Sequence, residues 1–378
     1  MTYSNKNFDV IIIGSGIAGV SIGSELSNNL KICILEKENY LSYHSTGRSF
    51  AFYLESYGNK IIRQLTSASK DFFVNNSNNE NPILKKRGVL HIGSKDQVSS
   101  IDALYSDLIQ INDNFKLLDR NETIKLLPCL NSESIHNSIY DENASDIDVN
   151  NLYNVFLNEC KKNNSVIEKN VLIQNCLKKG NHWILNTNKG EYNCNIIVNA
   201  AGAWAGEFGI KTGSQNINLI PKKRTIFGFK PLNVELNKNW PLAVDVEENF
   251  YFKIENDIVL ASPADENPCK PHDAQPDEYD IAVGAERIKK STLFQFNSIK
   301  NKWAGLRSFV KDKNPVIGFD NQIENFFWFA GQGGYGIQIS PTLAKIANNI
   351  ILKKDNNFYE NKLGMNFKSF DVKRFIDE

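Results

Sequence analysis

The residues of this chain that could do chemistry fall into two glycine-rich segments and a few polar side chains set among apolar neighbours. The first segment is Gly14-Ser15-Gly16-Ile17-Ala18-Gly19, which follows the apolar run Val10–Ile13 directly. A second apolar run, Leu30–Leu35, ends in Glu36-Lys37, with the acid twenty residues after Gly16. Strand, glycine turn, helix, second strand and terminal acid together make a dinucleotide-binding βαβ unit. In such a unit Gly14 makes the tight turn, Gly16 keeps the backbone bare for a pyrophosphate, and Gly19 lets helix and strand pack closely. The helix start points N–H groups and a positive dipole end at the phosphates. Glu36 is placed to accept hydrogen bonds from a ribose, in NAD or in FAD, and argues against a 2′-phosphate.

The second segment is Gly331-Gln332-Gly333-Gly334-Tyr335-Gly336-Ile337-Gln338, between the apolar run Phe326–Ala330 and a helical stretch from Ser340 to Leu352. Its bare amides and the following helix start could stabilise negative charge near N1 and the C2 carbonyl of a reduced flavin. A plain glycine-rich turn is the other reading. The first motif sits at the start of a chain that continues far beyond one nucleotide domain, and the second could serve the other half of a large cofactor. That arrangement suits FAD better than NAD.

Arg224, Tyr251 and Arg307 sit beside strongly apolar residues. A buried arginine needs an anionic partner, and its planar fork matches a carboxylate. Residue types alone favour an internal pair with Asp or Glu over a clamp on a substrate carboxylate. His44 has three readings: a polar loop group, which leads, a proton acceptor, or an attachment point for covalent flavin. Ser45, His182 and Asp148 could be put together as a hydrolase triad, but there is no nucleophile elbow and no ordering group.

Elements must position these residues. The spacing of Ile61, Ile62, Leu65, Phe72 and Phe73 predicts a helix over Lys60–Asn75. Lys86–Gly93 reads as a turn into a strand, Asp107–Pro128 leans helical, and Asp148 precedes an amphipathic helix over Leu152–Cys160. The strand Cys194–Val198 runs into a second strand-to-glycine turn, Asn199–Trp204, and so returns to the nucleotide domain. Residues 219–264 alternate as antiparallel strands suited to a floor or roof, and Tyr279–Phe294 is helical. The fold class is therefore α/β, or α+β in two domains: a Rossmann-like FAD-binding domain, discontinuous in sequence, with an antiparallel-sheet substrate domain.

Composition limits the alternatives. The chain has 378 residues, and 43 basic side chains balance 43 acidic ones, so no general field favours nucleic acid or an anionic membrane. Val10–Ser24 is too short and too broken by glycine to span a membrane, and it lacks the basic start of a signal peptide. The cytoplasm is the default, with peripheral attachment at the inner face of the membrane left open. The six cysteines show no CxxC spacing and the five histidines form no metal motif, which points to reduced structural thiols and no metal.

Taken together, the chain resembles the D-amino-acid oxidase-like family of FAD oxidoreductases, and most of all its bacterial D-arginine dehydrogenase branch. The residues that carry the resemblance are Gly14–Gly19, Glu36-Lys37, Tyr43–Ser49, Ala144–Asp148, Val198–Trp204, Pro221–Arg224, Phe250-Tyr251, Trp303–Phe309 and Gln332–Gln338. They span nearly the whole chain in order, and the last two are the most specific. The resemblance implies non-covalent FAD. It also implies oxidation of a D-amino acid to an imino acid, which water converts to a 2-oxo acid and ammonia. It implies an FAD-binding domain of residues 1–85, 145–212 and 303–378, and a substrate domain of 86–144 and 213–302. Cofactor contacts are implied at Gly14, Gly16, Ile17, Ala18, Gly19, Glu36 and Lys37, and along the loop His44, Ser45, Thr46, Gly47, Arg48 and Ser49. Others are implied at Val171, Ala201, Gly202 and Trp204, and at Gly333, Gly334, Tyr335, Gly336, Ile337 and Gln338. It turns Arg224, Tyr251 and Arg307 into a carboxylate clamp. Tyr57 becomes a substrate-facing tyrosine, and the Gly334 backbone a neighbour of the substrate amine. The partners implied are a small amino acid and an electron acceptor, a quinone or another, with no nucleic acid.

Two departures bear on the substrate. The arginine-preferring branch carries an acid on the strand after Pro82, where this chain has Arg87-Gly88-Val89-Leu90, and a histidine where this chain has Phe52. Neutral or apolar D-amino acids are therefore expected ahead of D-arginine or D-lysine, unless Glu55 or Glu248 reaches in. A 2-hydroxy-acid dehydrogenase would need a base near flavin N5, for which His44 is the sequence candidate. An N-methyl glycine type of secondary-amine dehydrogenase or oxidase and a non-enzymatic flavin-containing assembly factor are the remaining alternatives.

Overall fold

The computed structural model describes residues 6–78, 80–111 and 114–375. The ends of the expected FAD-binding ranges, 1–5 and 376–378, lie outside the described residues.

The nucleotide sheet has eight strands. Lys6–Ile13 runs at its centre, parallel to Ile32–Leu35 on one side and Gly190–Asn199 on the other. Val166–Glu168 extends the sheet beyond Ile32–Leu35, and Phe326–Ala330 pairs in parallel with the end of Gly190–Asn199. Central strands of this kind are covered on both faces, which is why Val10, Ile11 and Ile12 are fully buried with no polar alternation. One face packs on the helices Ile17–Leu26, Val149–Lys162 and Gly336–Ile351. The other packs on the hairpin Ile173–Lys179/His182–Thr187 and the helix Ala205–Thr212.

A second eight-stranded sheet stands against it. Its order is Ile299–Phe309, Ile220–Phe229, Ile258–Ser262, Tyr251–Glu255, Leu242–Asp245, Val89–Gly93, Asn137–Asp141 and Phe115–Asp119. Neighbours are antiparallel except Leu242–Asp245 beside Val89–Gly93, which is parallel. One face buries Phe227, Phe229 and Phe252 against the helix Glu278–Ser291. The other looks across a cavity at the nucleotide sheet. A small sheet of Phe52–Tyr53, Ser145–Ile147 and Leu84–Lys86 bridges the two.

Local expectations fail where tertiary pairing intervenes. The helix expected over Lys60–Asn75 is two helices, Lys60–Ala68 and Lys70–Asn75. At the break, the Ser69 hydroxyl donates to Leu65 O (2.8 Å) and bonds Thr342 (2.9 Å), which ties the bend to the C-terminal helix. Within Asp107–Pro128, residues Phe115–Asp119 are a strand because they pair with Asn137–Asp141. The strand Ile299–Phe309 pairs along the second sheet, so a domain boundary at 303 falls inside it; a division placed after Phe309 follows the sheets better.

No helix among the described residues is long and apolar enough to cross a membrane. All six cysteines are free thiols. No group of three His, Cys, Asp or Glu side chains among the described residues could hold a metal ion.

Candidate active site

A cavity of about 400 Å³ runs between the two sheets, and both glycine-rich segments enter it. At its nucleotide end the first turn is as tight as the sequence requires. Gly14 has φ +99°, and a Cβ on Gly19 would lie 1.9 Å from the Gly14 carbonyl oxygen, so helix and strand could not approach with any side chain there. The Ile17 N–H at the helix start donates to Thr46 Oγ1 (2.9 Å), which fastens the His44–Ser49 loop over the turn. Glu36 Oε2 accepts from the Ser15 N–H (2.9 Å) and hydroxyl (2.5 Å), and Oε1 accepts from the Glu38 N–H (2.9 Å). A carboxylate has about four acceptor sites, so the side chain is held in place with capacity left for ribose hydroxyls.

Around Glu36, the cavity is lined by Lys37, His44, Val171, Ala201, Gly202 and Trp204. His44 Nε2 lies 3.0 Å from Glu38 Oε1, and its ring packs on Trp204 at 4.5 Å. That places it near the ribose acid. His44 lines the cavity with its ring held by Glu38 and Trp204. Ser45 and Arg48 bind the loop to the substrate sheet: the Ser45 hydroxyl donates to Leu306 O (2.6 Å), and Arg48 donates to Ala274 O (2.9 Å) and pairs with Asp273.

At the other end, the helix Gly336–Ile351 starts at the cavity, and Gly333, Gly334, Gly336, Ile337 and Gln338 line it. Gln338 accepts from Leu54 N (3.2 Å) and donates to Thr66 (2.9 Å), while the buried Gln332 Nε2 has no partner among the described residues. Bare amides, a helix start and an unpaired donor on one wall fit an electron-rich ring edge. Together with the glycine turn and Glu36, they make a site whose residues suit FAD. Three residues expected at the cofactor do not line the cavity: Gly19, Gly47 and Tyr335. Gly19 acts one layer back, through the close packing described above. Gly47 closes the loop through its N–H to Ser42 O (2.8 Å). Tyr335 is buried behind Tyr57, with ring centroids 5.1 Å apart.

The substrate sheet brings Arg224, Tyr251 and Arg307 to the same cavity, with Tyr57 facing them. The two arginines differ. Arg224 is buried and lines the cavity, with Nε and Nη2 donating to Asp265 O (2.9 Å) and Glu266 Oε1 (3.0 Å) and Nη1 left without a partner among the described residues. The internal pair favoured by residue types alone is therefore present at Arg224, which still lines the cavity. Arg307 has no acidic partner among the described residues; Nη1 donates to the Tyr57 hydroxyl (3.2 Å). The Tyr251 hydroxyl is buried with no hydrogen-bond partner among the described residues. A Cβ on Gly334 would lie 2.8 Å from Arg307 Nη1, so the glycine leaves room for the guanidinium against the backbone. Burial pushes the Tyr57 hydroxyl pKa up, partly offset by Arg307, so it stays a neutral donor.

Phe50 and Phe52 form an aromatic wall, with Lys253 Nζ 4.6 and 4.9 Å from their ring centroids. Lys253 shares Asp146 with the buried Arg87, at 3.0 and 2.5 Å. Of the two acids kept open by the sequence, Glu55 does not line this cavity; it accepts from the Tyr53 hydroxyl (2.6 Å) and pairs with Lys70 (3.6 Å). Glu248 does line it, on an exposed turn with φ +56°.

Sequence reasoning missed His91. It is buried in the strand Val89–Gly93 and lines the cavity, with Nε2 3.0 Å from the Ser56 hydroxyl. Ser56 in turn donates to Asp141 Oδ2 (3.4 Å). Burial, with the Arg63 charge as the lesser cause, lowers His91 to about 4. Burial also raises Asp141 to about 6 against the Asn143 amide. Strand alternation was the available signal, since it puts Val89 and His91 on one face.

Known proteins share this fold. The family model described as FAD dependent oxidoreductase (DAO) matches residues 9–350. FAD-dependent oxidoreductase domain-containing protein 1 from Xenopus laevis is 23% identical over 97% of this chain and 82% of its own length. Other curated relatives match over less of themselves: the chain spans 36% of the Bos taurus protein of the same name. Among solved structures, glycine oxidase from Geobacillus kaustophilus superposes with a TM-score of 0.81 at 16% identity, covering 95% of this chain and 98% of its own. L-proline dehydrogenase from P. horikoshii does so with a TM-score of 0.81 at 19% identity, covering 94% and 96%.

Proposed function

We propose that this chain, which belongs to the DAO family of FAD-dependent oxidoreductases, oxidises a D-amino acid to its imino acid, which water then hydrolyses to a 2-oxo acid and ammonia. The observation that carries this reading is the unpaired Arg307 fork beside the unpartnered Tyr251 hydroxyl, in the cavity that both glycine-rich segments enter. An anionic carboxylate satisfies both groups at once. Arg307 supplies two parallel N–H donors, and the Tyr251 and Tyr57 hydroxyls complete the cradle. The Gly334 backbone then faces the amine and keeps Cα directed at the flavin. FAD, held by the glycine turn, Glu36 and the Gly333–Gln338 segment, would supply the hydride acceptor for the Cα hydrogen. The amine reacts as the neutral base, because its lone pair forms the C=N bond as hydride leaves. Asp265 and Glu266 hold Arg224 as a positive wall of the cradle. The electron acceptor, a quinone or another, and a cytoplasmic setting belong to the same proposal.

The aromatic wall supports a preference for neutral side chains. Lys253 already occupies these rings and takes the nearby carboxylate of Asp146, and a desolvated cation seated there without a partner of its own is costly. The 2-hydroxy-acid reading loses support, because His44 is engaged by Glu38 and Trp204.

The test is an anaerobic screen of D-amino acids, N-methyl glycines and 2-hydroxy acids for bleaching of the oxidised flavin. We expect neutral D-amino acids to bleach it faster than D-arginine or D-lysine. Bleaching by hydroxy acids alone, or by nothing, rules the proposal out. D-Arginine with the highest kcat/KM would leave the reaction standing and refute the preference, with Glu248 the residue to examine.

A further inference from the structure

His91 has no role in the reaction as proposed, yet it lines the same cavity. Across the substrate sheet, Val244 is the register partner of Tyr251 on one side and of His91 on the other. Register partners point to the same face, and all three line the cavity. At about 4.8 Å per strand, the His91 backbone stands ~10 Å from that of Tyr251. The carboxylate anchor and the imidazole are thus opposite ends of one wall, with Val244 between them.

The hydrogen-bond chain behind His91 sets which nitrogen carries the proton. Asp141 Oδ1 already accepts the Asn143 N–H (3.0 Å), and Oδ2 accepts the Ser56 hydroxyl (3.4 Å). With its proton directed at the carboxylate, Ser56 offers His91 a lone pair, so Nε2 carries the hydrogen. Nδ1 is left as an acceptor, and it makes no hydrogen bond among the described residues. Burial keeps the ring neutral through the physiological range. Nδ1 is not fully enclosed, so a molecule in the cavity can reach it. A ligand that brings a donor to it gains, and an isosteric ligand that brings none does not.

We infer that His91 reads the substrate side chain: the cavity takes an α-amino acid whose side chain ends in a neutral hydrogen-bond donor, seated on His91 Nδ1 while Arg307 and Tyr251 hold the carboxylate. This rests on the amino-acid reading above and narrows it. The separation favours an amide on a glutamine-length side chain over the short hydroxyl of serine, because the chain must cross the Val244 position. Neutrality follows because Arg63 beside His91 disfavours a cationic donor, and a carboxylate brings no donor to Nδ1. A proton-accepting role at the reacting carbon suits His91 less well. That carbon is bonded to the carboxyl group, at the opposite end of the wall.

The test compares isosteric substrates that differ in the donor, D-glutamine against D-methionine and D-asparagine against D-leucine, on the flavin-loaded enzyme. We expect kcat/KM to favour the amide by about tenfold or more in each pair, as in sites built to hydrogen-bond a substrate group. In His91→Leu the ratio should fall to about one or below, and in His91→Gln, which keeps an acceptor oxygen, it should recover in part. Both substrates are measured on one sample, so partial unfolding cancels from the ratio. A wild-type ratio at or below one, or a ratio unchanged in His91→Leu, overturns the inference while leaving amino-acid oxidation intact. Loss of turnover of every substrate in His91→Leu with flavin retained also overturns it, and assigns His91 to proton transfer. If no D-amino acid bleaches the wild-type flavin, the functional reading fails and this inference with it.

Discussion

Replacing Arg307 and Arg224 separately by alanine should have unlike consequences, although both arginines line one cavity. Arg307 makes one hydrogen bond within the protein, to the Tyr57 hydroxyl at 3.2 Å, and has no acidic partner among the described residues. Its other N–H groups are available to a carboxylate. A hydrogen bond to a charged group contributes roughly 1.5–3 kcal/mol, so Arg307→Ala should lower kcat/KM by about 10- to 150-fold. The protein should keep its flavin and its Tm. Arg224 is anchored by Asp265 O and Glu266, which take two of its five N–H groups. Glu266 also pairs with Lys222 at 3.1 Å and is partly exposed, so Arg224→Ala does not strand a buried charge. It should cost about 1–3 kcal/mol of stability, with a smaller loss of kcat/KM than Arg307→Ala. The assay is steady-state turnover of one D-amino acid by both variants, with flavin content and thermal midpoints measured on the same preparations. Wild-type-like kinetics in Arg307→Ala would refute the carboxylate role. Equal kinetic losses with unchanged Tm in both variants would show that Glu266 releases Arg224 to the substrate, and that the internal pair does not persist in the working enzyme.

Three further outcomes follow from the same geometry. Acid or heat denaturation should release intact FAD into the supernatant, and His44→Ala should remain yellow; colour that precipitates with the wild-type protein would mean a covalent link. Gly19→Val should lose flavin, because its Cβ has 1.9 Å to the Gly14 carbonyl oxygen. A wild-type flavin-to-protein ratio in that variant would show that the turn can open at little cost. The third outcome concerns pH. The His91 pKa falls from 6.5 to about 4 on folding, so its contribution to stability rises as pH climbs between those values. The Asp141 pKa rises from 3.8 to about 6, so its contribution is full below the lower value and is lost as pH climbs through the higher. Each shift of some two units corresponds to about 3 kcal/mol, and the slopes oppose. Chemical denaturation between pH 4 and 6 should give a shallow profile for the wild type, a rising one for Asp141→Asn and a falling one for His91→Gln. Parallel profiles in all three would refute the coupling of these two groups to folding.

The cofactor end was legible in the sequence because its parts are local. Gly14, Gly16, Gly19 and Glu36 lie within one strand-turn-helix-strand unit, whose geometry is set by backbone sterics and helix packing over a short span. The C-terminal glycine segment is contiguous for the same reason. Even there, contiguity did not separate the residues that line the cavity from Gly47 and Tyr335, which close a loop and back a wall. The substrate end is different, because each contact joins strands distant in sequence. Arg224 and Glu266 are 42 residues apart, His91 and Ser56 35, and Ser56 and Asp141 85. Whether a buried arginine is spent internally or left for a ligand depends on which acid the fold brings within about 3 Å, and composition and periodicity carry no information about that. Strand alternation could place His91 on a face. Only the register through Val244 put His91 on the same wall as the Tyr251 hydroxyl, and only the Ser56–Asp141 contact oriented the ring's lone pair.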